Sequence, residues 1–295
     1  TTRIISPDWV VWADKPDRFE AGTPAIVSVI AFAKALRLIR QNGNDIFIDP
    51  AGERLTASQI VYSDELEKYS GRELLDKLRQ TLIGRGIKVP TTEGAKPFIN
   101  LDNSASTPTF MPVWNAVRLT WHQPAQVQKE IVNEVRSLCS AFLGDPQAAY
   151  DVIFTSNTTE AINLAAESLS RDAGKDTEPV VLNTLLEHSS NDLPWRKVSR
   201  QPLIRLAIDP AGFIDLIQLE TTLRSYNRDV EHGKKRITLV TVSGASNVLG
   251  TVNDLAEISR IVHIYGAQLL VDAAQLAAHR RVETEGWGID YLAFS

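Results

Sequence analysis

A single cysteine, Cys139, stands in the whole chain of 295 residues, so no intramolecular disulfide is available and the fold does not depend on an oxidising compartment. The cytoplasm is the expected location. No apolar run is long enough to cross a bilayer, and the mean hydropathy is −0.12, so no membrane contact is expected. A surplus of positive charge is missing as well: 31 basic against 36 acidic side chains leave net −5, which argues against nucleic acid as the main partner. No glycine-rich strand-to-helix turn is found, because Gly84-Arg85-Gly86 lacks the third glycine that a nicotinamide dehydrogenase needs at that spacing. His122, His188, His232, His263 and His279 show neither a His-x-x-x-His nor a paired-cysteine pattern, which sets a zinc enzyme aside. Short repeats and low-complexity tracts are lacking too.

What is present is an ordinary soluble balance, 43% hydrophobic and 23% charged, in a chain long enough for one large domain or two ordinary ones. The chain opens Thr1-Thr2-Arg3 without an initiator Met and stops at Ser295 after an apolar strand-like run, so it reads as an internal piece of a longer polypeptide. Three parts follow one another. In residues 1–45 a turn leads into an apolar set at Ile26, Val29, Ile30, Ala33 and Leu36, whose spacing predicts an amphipathic helix over about 24–41. Thr23 is placed to cap it, Pro24 fits its first turn, and Gly43 stands where a left-handed C-cap belongs. Residues 46–97 form a connector with turn signals at Asp49-Pro50-Ala51-Gly52 and Thr91-Thr92-Glu93-Gly94 and a helix from Gly71 to about Leu82.

From Phe98 to Ser295, strand-like and helix-like runs alternate: helix 124–143, strand 151–155, helix 159–170, strands 179–183 and 203–208, helix 214–226, strand 236–242, helix 253–265, strands 268–272 and 289–294. Alternation of this kind predicts an α/β fold, a mostly parallel sheet covered by helices, with ligands beyond the carboxyl ends of the strands. Four segments lie at such ends. Thr155-Ser156-Asn157-Thr158-Thr159-Glu160 opens a helix with hydroxyls and free N–H groups that suit a phosphate, or it is a plain N-cap. Glu187-His188-Ser189-Ser190-Asn191 offers His188 to lie flat on an aromatic ligand, or as an ordinary solvated loop histidine. Ser243 to Gly250 presents Asn247 to a ligand oxygen, or simply turns the chain. Val271-Asp272-Ala273-Ala274-Gln275 puts a carboxylate at the mouth of an apolar strand, where it needs a cation or hydrogen bonds; a helix N-cap is its other reading. Together these four ask for a planar, phosphorylated ligand with a protonatable ring nitrogen, a description met by pyridoxal phosphate.

At these places the runs Asn157–Leu164, Glu187–Trp195, Ser246–Val252 and Val271–Gln275, together with Asn100-Leu101-Asp102-Asn103-Ser104-Ala105-Ser106-Thr107, resemble the class V aminotransferases, with the cysteine desulfurases and selenocysteine lyases, among the fold-type I pyridoxal-phosphate enzymes. The resemblance spans about 98–295. It implies that Asp272 pairs with the pyridinium nitrogen, that Gln275 and Asn247 approach the ring hydroxyl, that His188 stacks on the ring, and that Thr158 and Thr159 hold the phosphate. Ser295 matches the phosphate-binding serine of a Ser-x-His-Lys segment, whose Schiff-base lysine then falls three positions past Ser295. An amino-acid substrate and a homodimer, with sites completed by a neighbouring subunit, are implied as well. A catalytically silent scaffold or dimerisation module of the same fold is the alternative.

The first 45 residues resemble a different part of the same family. Arg18-Phe19-Glu20-Ala21-Gly22-Thr23-Pro24 looks like the small-domain segment whose arginine grips the substrate carboxylate, here standing ahead of the cofactor-binding half. Two arrangements account for that order, a tandem of modules or a circular permutation. The connector at 46–97 fits a linker between tandem modules better than a loop within one, and Arg18 then serves an upstream site. Cys139 shares a helical face with Val127, Ile131, Val135 and Leu138, so it is expected to pack rather than to act as a nucleophile.

Overall fold

The computed structural model describes residues 3–6, 9–11, 26–42, 54–103, 107–145, 149–169, 177–198 and 203–295. Arg18, Thr23, Pro24, Gly43, the 49–52 turn and residues 104–106 lie outside them. The chain divides into two compact units, one of Asn42–Ala141 and one of Thr1–Gln41 with Phe142–Ser295.

A short antiparallel hairpin, β1 (Arg3–Ser6) with β2 (Trp9–Val11), comes first and is followed by α1 (Ile26–Asn42). The spacing of apolar residues foretells that helix, but Val29, Ile30, Phe32 and Leu36 are exposed. In the Asn42–Ala141 unit, α2 (Ala57–Tyr62) starts at a capping box in which the Thr56 hydroxyl accepts from the Gln59 amide and the Gln59 side chain accepts from the Thr56 amide. Next come α3 (Gly71–Thr81) and the hairpin of β3 (Lys88–Thr91) with β4 (Gly94–Pro97), turning where the Thr-Thr-Glu-Gly signal stands. Then α4 (Met111–Trp121) and α5 (Ala125–Phe142) follow, and Val127 and Ile131 of α5 pack on Ala57 and Ile60 of α2. Cys139 is half-buried, and burial pushes its thiol up, away from the reactive thiolate; Leu138, expected on the same packed face, is exposed.

The larger unit holds α6 (Thr158–Leu169), β5 (Glu178–Thr184), α7 (Leu193–Val198), β6 (Ile204–Leu206), α8 (Leu216–Leu223), β7 (Lys235–Ser243), α9 (Leu255–Ile264), β8 (Gln268–Asp272), α10 (Leu276–His279) and β9 (Tyr291–Ala293). The five strands β5 to β9 form one sheet, all parallel, in the order β6-β5-β7-β8-β9. A parallel sheet with crossover helices must be covered on both faces, and alternation along the strands shows that it is. Val240, Val242, Leu269 and Val271 join a core built with α8 and α9, whereas Leu239, Leu270 and Ala293 turn to the other face and meet Ile162 and Ala166 of α6 and Trp195 of α7. Each such valine, leucine or isoleucine side chain, fully withdrawn from water, contributes about 1.5–3 kcal/mol.

The expected strand at 151–155 is a correction. Those residues form no ladder among the described residues, and Ile153 and Phe154 are exposed. β-Propensity makes a strand only where a neighbour supplies the matching N–H and C=O groups. The segment Leu193–Val198, absent from the elements expected from sequence, is helix α7, and the fully buried Trp195 drives it: its indole Nε1 donates to Asn191 Oδ1 at 3.0 Å while its ring fills the α6 face.

Candidate functional site

The carboxyl ends of β5, β7 and β8 converge, and the candidate residues gather there. Asp272 ends β8 in register with Ser243 of β7 on one side and Ala293 of β9 on the other. Alternation puts its side chain on the Leu270 face, the face that α6 covers. That is also the face of Thr241 and Ser243. Asp272 is 5% exposed, and its Oδ1 accepts from the Ala274 amide at 3.1 Å. Burial pushes its carboxyl above the ordinary range, against the Ala274 amide, the charge of His188 and a bond from the Ser190 hydroxyl, each of which pulls the other way. No lysine or arginine among the described residues contributes to that balance.

His188 follows β5 and caps a single 3-10 turn, Ser189–Asn191. Its ring Nδ1 accepts from the Ser190 amide at 3.2 Å and stands 2.7 Å from Ser190 Oγ, so the Ser190 hydroxyl lies between His188 and Asp272. His188 and Asn247, from the loop after β7, line one depression together with Ser246 and Leu249. Both are exposed toward it. Gln275 immediately precedes α10, three residues beyond Asp272, and is half-buried. Ser295 is exposed two residues past Ala293, the register partner of Asp272.

Helix α6 packs against the 3-10 turn and against β9. Its capping is done by Asn157, whose Oδ1 accepts from the Glu160 amide at 2.9 Å while the Glu160 carboxylate accepts from the Ser156 amide. Thr158 is therefore released from capping. Its Oγ1 is buried with no hydrogen-bond partner among the described residues, an arrangement that costs about 1–3 kcal/mol unless a ligand completes it. Thr159 beside it is half-buried. An orphaned hydroxyl at a helix start and a buried carboxylate without a strong cation, on one face of one sheet, fit a ligand that carries an anionic group at one end and a cationic ring nitrogen at the other. Arg18 lies outside the described residues.

Two neighbours of these residues were not picked out from the sequence as site residues. Glu187, inside the same motif as His188, points its carboxyl at Thr184, Asn191 and Ser243. Asp192 receives Arg196 and, at 2.6 Å, Arg205, tying the turn to α7 and β6. Burial alone would raise the Asp192 carboxyl, but the two guanidinium groups hold it below the usual range. An acidic residue beside a loop histidine, directly after an apolar strand, is the signal that marks Glu187.

Comparison with known proteins adds to this geometry. The profile of the family described as Aminotransferase class-V matches residues 2–83 and 99–295. A cysteine desulfurase of Dickeya dadantii (strain 3937) is 34% identical over 214 residues, 68% of this chain and 49% of that protein. A probable cysteine desulfurase of Halalkalibacterium halodurans is 37% identical over 149 residues, 49% of this chain and 34% of the relative. The apo structure of a cysteine desulfurase from Thermococcus onnurineus NA1 superposes with a TM-score of 0.58 at 26% identity, covering 75% of this chain and 52% of that one. The chain thus spans about half the length, or less, of the curated relatives it matches.

Proposed function

Since this chain belongs to the aminotransferase class-V family, we propose that it binds pyridoxal 5′-phosphate at the carboxyl ends of β5, β7 and β8 and serves cysteine desulfurase or selenocysteine lyase-type chemistry on an amino acid. The observation that carries this reading is the burial of Asp272 with no lysine or arginine among the described residues acting on it. A cationic ring nitrogen would supply the missing charge, and the Asp272 carboxylate would keep the proton on that nitrogen. Pyridoxal phosphate, when bound, supplies an electron-withdrawing ring that takes up the negative charge left as a bond at the substrate α-carbon breaks. Thr158, through its partnerless hydroxyl, and Thr159 would hold the phosphate, with Ser295 joining them from the end of β9. His188 would cover one face of the ring, and Asn247 and Gln275 would orient its hydroxyl. A homodimer in the cytoplasm belongs to the same reading, as does service by Arg18 to the carboxylate of a substrate in an upstream module.

The test uses full-length protein titrated with pyridoxal phosphate and followed by visible absorption and by equilibrium binding. Asp272→Ala is expected to weaken binding by about a hundredfold or more, the effect of losing about 3 kcal/mol with a buried charge pair. Wild-type protein that stays colourless and takes up no cofactor would overturn the reading.

A further inference from the structure

We propose that Glu187 is a positioning residue of this site, fastening the His188 turn to the strand that borders Asp272. The inference rests on the reading of the site as a pyridoxal phosphate site. Glu187 Oε1 receives the Thr184 hydroxyl at 2.6 Å from the end of β5. Its Oε2 receives the Asn191 side-chain amide at 2.6 Å from the 3-10 turn and the Ser243 hydroxyl at 2.8 Å from the end of β7. One carboxyl thus joins three backbone segments, and Ser243 is the register partner of Asp272.

The turn it fastens carries both His188 and Ser190, which act on Asp272 alongside the Ala274 amide. Asn191 extends the same network: its Oδ1 accepts from Thr241 at 2.6 Å and from Trp195 at 3.0 Å, so the turn is pinned to β7 and to α7 at once. Every partner of the Glu187 carboxyl is a buried, uncharged group, and no cation among the described residues contributes to its state. A structural ion pair would have recruited a lysine or arginine, as Asp192 does a few residues later. A three-way neutral clamp instead sets position, because hydrogen bonds are directional and each of the three fixes one segment.

The experiment measures dissociation constants for pyridoxal phosphate in the full-length protein, with histidine ring signals by NMR in the cofactor-free form as a second readout. Glu187→Ala is expected to weaken binding about tenfold and to shift the His188 ring signals, as the loss of a buried anchor allows. Glu187→Gln is expected to recover most of that loss, since its amide donates to Thr184 and its carbonyl accepts from Asn191 and Ser243. If Glu187 acts through His188, Glu187→Ala in a His188→Ala background adds little. Should Glu187→Ala fail to fold, Ser243→Ala, which removes one of the three bonds, carries the same comparison at smaller amplitude. Losses that simply add, or ring signals that stay in place, overturn the positioning role while leaving the cofactor site standing; wild-type protein that binds no pyridoxal phosphate overturns both.

Discussion

Asp272 and Glu187 both meet Ser243, the first as its register partner and the second by accepting its hydroxyl, and burial acts on both in the same direction. The carboxyl of Glu187 is enclosed although its stem is partly exposed, and burial pushes it up to about 7 against the bonds from Thr184, Ser243 and Asn191. Its ordinary value is 4.5, so the folded form holds this proton where the unfolded chain has released it. The stability that follows is fully present below the unfolded value and is lost as pH rises through the folded one. For Glu187 that loss is of the order of 2 kcal/mol, with the stem's solvent contact allowed for. Urea titrations of cofactor-free protein at pH 5 and pH 8 should show lower stability at the higher pH, and Glu187→Gln should flatten much of the difference. Asp272 is raised too, so its own contribution to the slope has the same sign. An unchanged slope in Glu187→Gln would place the titrating proton elsewhere.

Among the elements, the start of α6 separates two tasks that the sequence run Thr155 to Glu160 leaves merged. Asn157→Ala removes the cap and should cost about 1 kcal/mol in thermal unfolding. Thr158→Ala removes only a partnerless buried hydroxyl, so unfolding should be unaffected or slightly improved, while affinity for pyridoxal phosphate falls. A Thr158→Ala protein that melts lower and binds as tightly would reverse that assignment. Which of four adjacent polar residues caps is decided by backbone geometry, and several of them suit the position by type; this is why the motif was legible and the division of labour was not. The same limit explains the segment at 151–155, whose β-prone apolar run Val152-Ile153-Phe154 resembles a strand's but carries no information about a pairing neighbour. Helices α5 and α6 and strands β7 and β8 were legible within a residue or two, because their patterns are long and packing agrees with propensity. Gly144 gave no sequence signal at all. At φ +75° its place would set a Cβ 2.6 Å from Glu283 Cα and 2.8 Å from the Val282 carbonyl oxygen, so backbone would have to move. Gly144→Ala should cost at least about 2 kcal/mol in chemical denaturation, from crowding and left-handed strain together.

Across the whole parallel sheet, the residues proposed to touch the ring nitrogen and to anchor the His188 turn hang from its best-protected strands. β7 has β5 on one side and β8 on the other, and all but one of its residues from Ile237 to Ser243 are buried. Amides there exchange with solvent only when the sheet as a whole opens. β6 is shorter, pairs on one side only among the described residues, and leaves Ile204 and Arg205 half-buried, so it opens with less of the core. Alternating faces explain why a rigid platform and a ligand corner coincide: the side chains of one face of β7 and β8 end in Ser243 and Asp272, while those of the other close the α8 and α9 core. Hydrogen exchange followed by mass spectrometry should therefore find peptides covering Val240–Val242 and Leu269–Val271 slowest, with Ile204–Leu206 faster by about tenfold or more, a difference of about 1.4 kcal/mol in opening free energy. Bound pyridoxal phosphate should slow exchange most in the 188–191 turn and at 157–160, which it is proposed to bridge, and least in β7, which is already limited by global opening. Protection spread evenly over β6 and β7, or cofactor effects absent from the 188–191 turn, would mean that the platform and the ligand corner are not organised in this way.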